Sequence, residues 1–248
     1  MNHSPTIRFF AIALFASIAL AAPAQAEEVS FVTEDGFTIV GDLHAGPADA
    51  PALILLHAYR ATARSWGPLI PMLHDAGYTV LVLDQRTHGR STNQNGKPLR
   101  VKQIPIEDFG PTLREGVQDV AGARALLEAR GLGGGGLALV GASYGCSVAL
   151  LSTQSQPGVD ALALISPGIS YFEVPVKPAI RAFAGPILAI AAEDDANRAD
   201  RARDLTEAHP GKSELIVYPT GGHGTKLFRG RTEAMDAIVE FLGRVLPR

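Results

Sequence analysis

A serine flanked two positions away on each side by glycine, Gly141-Ala142-Ser143-Tyr144-Gly145, stands between an apolar run and a helical pattern. A sharp strand-to-helix turn has little room for side chains at the two outer positions, and it lifts the serine Oγ clear of the backbone. The N–H groups of the first helical turn then lie beneath it, where charge developing on a substrate oxygen can be held. Chance alone supplies this five-residue form about 0.1 times in such a chain, so the strand before it and the helix after it are the discriminating part. A serine hydroxyl is a weak nucleophile near neutral pH and needs a histidine base oriented by a carboxylate. Glu193-Asp194-Asp195 follows the apolar run Pro186 to Ala192, and Gly221-Gly222-His223-Gly224 follows the last apolar run. Nucleophile, acid and base therefore occur in the order Ser, Asp, His, with Asp194 and Asp195 both available as the acid.

Positioning these groups requires a sheet whose strands end on one side. Short apolar runs alternate with longer amphipathic stretches, the pattern of a mostly parallel sheet covered by helices. Val29 to Thr33 and Phe37 to His44 flank an Asp35-Gly36 turn and read as an antiparallel opening. Five buried-type strands follow at Ala52 to His57, Thr79 to Asp84, Leu137 to Ala142, Ala161 to Ser166 and Ile187 to Ala192. An eighth runs from Glu214 to Tyr218. Helices are expected at Trp66 to Ala76, Leu113 to Arg130, Tyr144 to Thr153, Arg198 to Ala208 and Thr232 to Leu246. Ser91 to Pro111 reads as a polar loop. Pro167 to Pro186, with four prolines, reads as an irregular segment carrying a short helical stretch, and both are candidate walls of a site. Gly131, Gly133 and Gly136 match a dinucleotide-binding spacing, but they follow a helix and precede a strand, so they read as a turn.

From Phe37 onward the chain resembles the α/β-hydrolase superfamily, in its serine esterase, dienelactone-hydrolase-like or serine-aminopeptidase-like branch. The resemblance implies an α/β fold with a mostly parallel eight-stranded sheet, an antiparallel N-terminal strand, helices on both faces and no large cap domain. It also places the nucleophile after strand five, the acid after strand seven and the histidine after strand eight, which are the places of Ser143, Asp195 and His223. Pro186 to Asp195 resembles the family's Pro-x-L-x-I-x-G-x-x-D acid segment, an alignment that selects Asp195 over Asp194, with Ala192 in place of the glycine. The resemblance implies an oxyanion hole made by the backbone N–H of Tyr144, after the nucleophile, and of Tyr59, in the segment Leu56-His57-Ala58-Tyr59 that is similar to an H-G-x motif. Asp84 to Ser91 resembles a D-x-R-G-x-G-x-S turn, with Thr87 where glycine is common.

The remaining candidates have plainer readings. His57 and His88 sit at strand exits and read as hydrogen-bonded structural residues, and Cys146, the sole cysteine, reads as a small packing residue. Tyr171 and Phe172 are equally placed to line a substrate pocket or to pack. Arg60, Arg64, Arg86 and Arg90, with Lys97, Arg100 and Lys102 of the polar loop, read as solvated charges, or as a preference for an acyl group bearing a carboxylate. No His, Cys or acidic spacing suits a metal, and no cofactor is expected. The formal net charge of −3, with no basic block, gives no footprint for nucleic acid. At the N-terminus Arg8, the apolar run Phe9 to Ala22 and Ala24-Gln25-Ala26 form a signal-peptide pattern, shorter than a spanning segment. Residues 1–26 are thus expected to be removed, residues 27–248 to form one hydrolase domain without stable membrane association, and the protein to be secreted or periplasmic.

The expected activity is a serine hydrolase cleaving carboxylic esters of small or medium substrates. A serine peptidase or amidase of the same fold, or a hydrolase-like binding protein without turnover, are the alternatives. Cleavage after Ala26 predicts that N-terminal sequencing of the exported protein reads Glu27-Glu28-Val29, and another start would move the boundary.

Overall fold

The computed structural model describes residues 26–246. The expected leader therefore lies outside the described residues except for Ala26. Eight principal strands occur in chain order: β1 (Glu27–Val32), β2 (Phe37–His44), β3 (Ala52–Leu56), β4 (Thr79–Asp84), β5 (Leu137–Ala142), β6 (Ala161–Ile165), β7 (Ile187–Ala192) and β8 (Ser213–Tyr218). The helices are α1 (Ile70–Asp75), α2 (Phe109–Ala129), α3 (Tyr144–Ser155), α4 (Lys177–Ala182), α5 (Arg198–Ala208) and α6 (Glu233–Val245). The strand order is β8-β7-β6-β5-β3-β4-β2, with β1 beside β2. Strands β3 to β8 pair in parallel, whereas β2 is antiparallel to both β4 and β1.

The burial of each strand follows from what covers it. Every residue of β3, β4, β5, β6 and β7 is buried, as expected of parallel strands covered on both faces. Strand β2 instead alternates buried and half-buried residues. Successive side chains of β3 feed two cores: Ala52, Ile54 and Leu56 pack with α2 and α3, while Leu53 and Leu55 pack with Trp66, α1 and α6. Among the described residues no helix is long and apolar enough to cross a membrane.

Four segments depart from the sequence reading, each for a local reason. The first helix is shorter than Trp66 to Ala76. A 3-10 turn covers Ala63–Trp66, and α1 starts only where Pro71 fills an N-terminal helical position. Helix α2 begins at Phe109, because Pro111 in the first turn needs no intrahelical N–H donor. The Ser91 to Pro111 loop contributes two-residue strands, Asn93–Gln94 and Lys97–Pro98, which extend the sheet past β2 to ten strands. The proline-rich segment holds a ribbon, Ser170–Tyr171 against Val174–Pro175, followed by α4.

Arg86, fully buried after β4, ties three parts of the chain together. Its backbone N–H and Nε donate to Asp119 of α2 at 2.9 and 2.8 Å, and its Nη1 donates to Asp35 of the β1–β2 turn at 2.7 Å and to Glu115 at 3.3 Å. A buried guanidinium is tolerated only with such partners. Burial pushes the Asp119 carboxyl up to about 6 against the pull of Arg86. Thr87, next in the chain, has φ 70. A β-branched residue in the left-handed region costs roughly 1–2 kcal/mol that glycine avoids. Thr87→Gly is expected to raise the melting temperature by about 2–4 °C, corresponding to about 1 kcal/mol. A lowered melting temperature would show that the 3.2 Å contact of Thr87 Oγ1 with His88 Nδ1 outweighs the strain.

Candidate active site

Ser143 lies between β5 and α3 with φ 53 and ψ −113, a backbone conformation rare for a residue bearing Cβ. Close packing holds it there. The Ser143 N–H donates to the Ile165 carbonyl at 2.8 Å, and the Ser143 carbonyl accepts from the Cys146 N–H at 3.0 Å. A Cβ at Gly141 would stand 2.7 Å from the Cys146 nitrogen, and one at Gly145 would strike the Leu56 carbonyl oxygen. The end of β5 and the end of β3 are thus both pressed against the start of α3, close approaches that alanine at Gly141 or Gly145 would block.

His223 and Asp195 converge on the serine. His223 Nε2 is 2.6 Å from Ser143 Oγ, and His223 Nδ1 is 2.9 and 2.7 Å from the two Asp195 oxygens. An ionised carboxylate only accepts, so Nδ1 carries the ring proton and Nε2 presents its lone pair to the serine hydroxyl. Burial raises the Asp195 carboxyl pKa, but the bonds from His223 and Ser166 outweigh it and hold the group below the ordinary aspartate value. Asp195 therefore remains charged opposite an imidazole that becomes cationic on taking a proton.

The neighbouring acid does something else. Asp194 accepts the Gly221 N–H at 3.1 Å from both oxygens and the Gly222 N–H at 2.9 Å, fixing the glycine turn that leads into His223. Gly222 has φ 68, so the bend needs glycine there. Ser166, just after β6 with φ 51, accepts the Gly224 N–H at 2.9 Å and is among the hydrogen-bonding groups that keep the Asp195 carboxyl charged, so one buried hydroxyl serves both Asp195 and the loop carrying His223. Sequence reading passed over Ser166, whose only signal is its place at the exit of a fully buried strand.

Of the oxyanion candidates, Tyr144 is the first residue of α3, where a helix leaves its N–H without an intrahelical acceptor. Tyr59 lies in the turn after β3, and the Tyr59 and Tyr144 rings stand 6.3 Å apart. Both rings join Phe109, His88 and Phe172 in an aromatic cluster beside Ser143. His57 donates from Nδ1 to the Ala58 carbonyl and accepts the Gln85 N–H at Nε2, and burial lowers its pKa to about 3. It is a neutral structural ring. Cys146 Sγ contacts the Gly141 and Ile165 carbonyls, and burial pushes the thiol up to about 12.

Tyr171 reaches further into the site than its sequence context indicates, with its hydroxyl 2.9 Å from Ser143 Oγ. It covers the serine, which is only 3% exposed. Among the basic residues, Arg86 is used by Asp35, Glu115 and Asp119, and Arg90 by Asp42, Asp84 and Glu28. Arg60 instead lies over the Tyr59 ring and lines a pocket with Arg100, Lys102, Thr87 and His88.

The profile of the alpha/beta hydrolase family matches residues 53–241. Epoxide hydrolase A of Mycobacterium tuberculosis is 37% identical over 84 residues, which cover 34% of this chain and 25% of that protein. The chain thus spans about a quarter of the length of that curated relative. The fold is shared with an esterase of Pyrococcus furiosus (TM-score 0.72, 20% identity, 89% of this chain and 93% of that one). It is also shared with the dienelactone hydrolase of Anabaena variabilis (TM-score 0.69, 18% identity, 90% and 99%).

If Asp195 orients the imidazole, Asp195→Asn should lower kcat by about 10³–10⁴-fold, since an amide cannot hold the tautomer. Asp194→Asn should cost about 10-fold at most, because an amide oxygen still accepts the two glycine N–H groups. Steady-state kinetics on both variants decides between them, and the reverse ranking would assign the orienting role to Asp194.

Proposed function

Because the chain belongs to the alpha/beta hydrolase family, we propose that it is a serine hydrolase that cleaves carboxylic ester bonds of small or medium substrates through an acyl-enzyme on Ser143. The observation that carries this reading is the unbroken chain of short contacts from Asp195 through His223 to Ser143 Oγ. His223 takes the serine proton as Oγ attacks the ester carbonyl and delivers it to the departing alcohol; Asp195 offsets the positive charge that forms on the ring. The backbone N–H groups of Tyr144 and Tyr59 would hold the carbonyl oxygen as it becomes anionic. Water then enters, His223 accepts its proton, and the acyl group leaves as a carboxylic acid. No cofactor enters these steps. The leader expected at residues 1–26 would deliver the enzyme to the periplasm or the exterior.

The similarity to an epoxide hydrolase raises a second chemistry for the same serine. Attack of a serine Oγ on an epoxide carbon would leave a serine ether, which offers water no carbonyl through which to release it. Acyl chemistry instead returns Ser143 unchanged, so the nucleophile type favours esters. Amides require protonation of a poorer leaving group by the same His223, and a serine peptidase or amidase remains the neighbouring activity to test.

A fluorophosphonate probe should label the wild type, and Ser143→Ala should abolish labelling while lowering ester turnover by about 10⁴-fold or more. A panel of short-chain nitrophenyl esters, aminoacyl amides and a styrene epoxide should show turnover of the esters. Failure of the wild type to label, or equal labelling of Ser143→Ala, would overturn the assignment. Turnover of the epoxide alone would move the protein to another reaction.

A further inference from the structure

The Tyr171 contact reflects a specific architecture. Tyr171 ends one strand of the two-residue ribbon, and Phe172 and Glu173 form the turn with φ 49 and 59. Tight ribbon turns with two positive φ angles normally use Asn-Gly, and non-glycine residues cost about 1 kcal/mol or more each. Packing holds the strained turn, since the Phe172 ring lies 4.8 Å from Phe109 and 5.0 Å from Tyr59. A Cβ at Gly168 would stand 2.6 Å from the Tyr171 ring and 2.7 Å from Arg198 Nη1, so the glycine makes room for the tyrosine beneath that guanidinium, which lies 4.7 Å from the ring centroid. The hydroxyl thereby reaches Ser143 Oγ at 2.9 Å and, more distantly, the Ser166 carbonyl at 3.4 Å.

Proton accounting fixes the direction of the bond. His223 Nδ1 donates to Asp195, so the single proton of Ser143 points to His223 Nε2. Oγ has only lone pairs left, so Tyr171 donates to it at 2.9 Å in preference to the Ser166 carbonyl at 3.4 Å. Burial pushes the tyrosine hydroxyl up to about 12, so the proton is present throughout the neutral range.

The geometry points to Tyr171 as a catalytic hydrogen-bond donor to Ser143 Oγ, acting chiefly when the acyl-enzyme breaks down. This rests on the reading of Ser143 as the nucleophile. In the resting enzyme Oγ already accepts the Tyr171 bond, and attack uses Oγ lone-pair density, so the bond gains little during acylation. In the acyl-enzyme Oγ is an ester oxygen and a poor acceptor. When water has added to the acyl carbon and its proton has passed to His223 Nε2, the C–Oγ bond breaks and its electron pair returns to Oγ. The Tyr171 bond then strengthens against developing negative charge, while His223 gives Oγ its proton and Tyr171 keeps its own. An interaction stronger in the transition state than in the state before it accelerates that step.

Tyr171→Phe keeps the ring and removes the donor. The expected result is fluorophosphonate labelling within about 3-fold of wild type, a fall in kcat for nitrophenyl acetate of about 10-fold or more, and a pre-steady-state burst approaching one nitrophenolate per enzyme. Unchanged kcat, or labelling and turnover falling together, would overturn the proposal, the latter pointing to displacement of the ribbon. Replacing Tyr171 with 3-fluorotyrosine, a stronger donor, should leave deacylation as fast as wild type or faster. Deacylation slowed as in the phenylalanine variant would also overturn it. A wild type that does not label instead removes Ser143 as nucleophile, independently of Tyr171.

Discussion

The site depends on a backbone forced into an uncommon conformation at one residue. Ser143 at φ 53 is strained, and a strained residue persists only where its surroundings over-determine it. Here the fully buried β5 delivers the chain, the Leu56 carbonyl presses against Gly145, and the Ile165 carbonyl takes the serine N–H. Three adjacent strands thus fix one oxygen atom. Relaxing the turn would move Oγ away from His223, and the 2.6 Å contact between them has little tolerance for displacement.

Around that point, polar groups are divided between those that face the chemistry and those that hold the frame. Two consecutive aspartates illustrate this: Asp195 meets the imidazole, while Asp194 binds the two amides before it. The arginines divide similarly. Arg86 sits in the interior bridging the β1–β2 turn, the β4 exit and α2, and Arg90 closes an ion-pair cluster at the rim. Their charge is consumed by carboxylates of this chain.

Much of this was legible because the signals were chemical types at strand ends. Continuous apolar runs mark parallel strands, and a Ser, an Asp and a His each following such a run must gather on one side of the sheet. The choice between Asp194 and Asp195 was less visible, since adjacent residues differ only in which way the turn after β7 directs them. Tyr171 was harder still. Its reach to Ser143 depends on a turn at Phe172 and Glu173 that carries no Asn-Gly signal, held by rings distant in sequence. Ser166 and the two-residue strands of the polar loop were hidden for the same reason: their partners are tertiary. Where glycine is common, Thr87 adopts the left-handed backbone anyway, whereas Ala58 and Ala192 have no positive φ to satisfy.

Cys146, the sole cysteine of the chain, is sealed three residues past Ser143, with its sulfur against the carbonyls of Gly141 and Ile165. A thiol so enclosed reacts with an alkylating reagent only when β5, β6 and α3 separate. The rate of its modification is therefore a clock for opening of the strand-to-helix turn at Ser143, built into the native chain and read without a substrate.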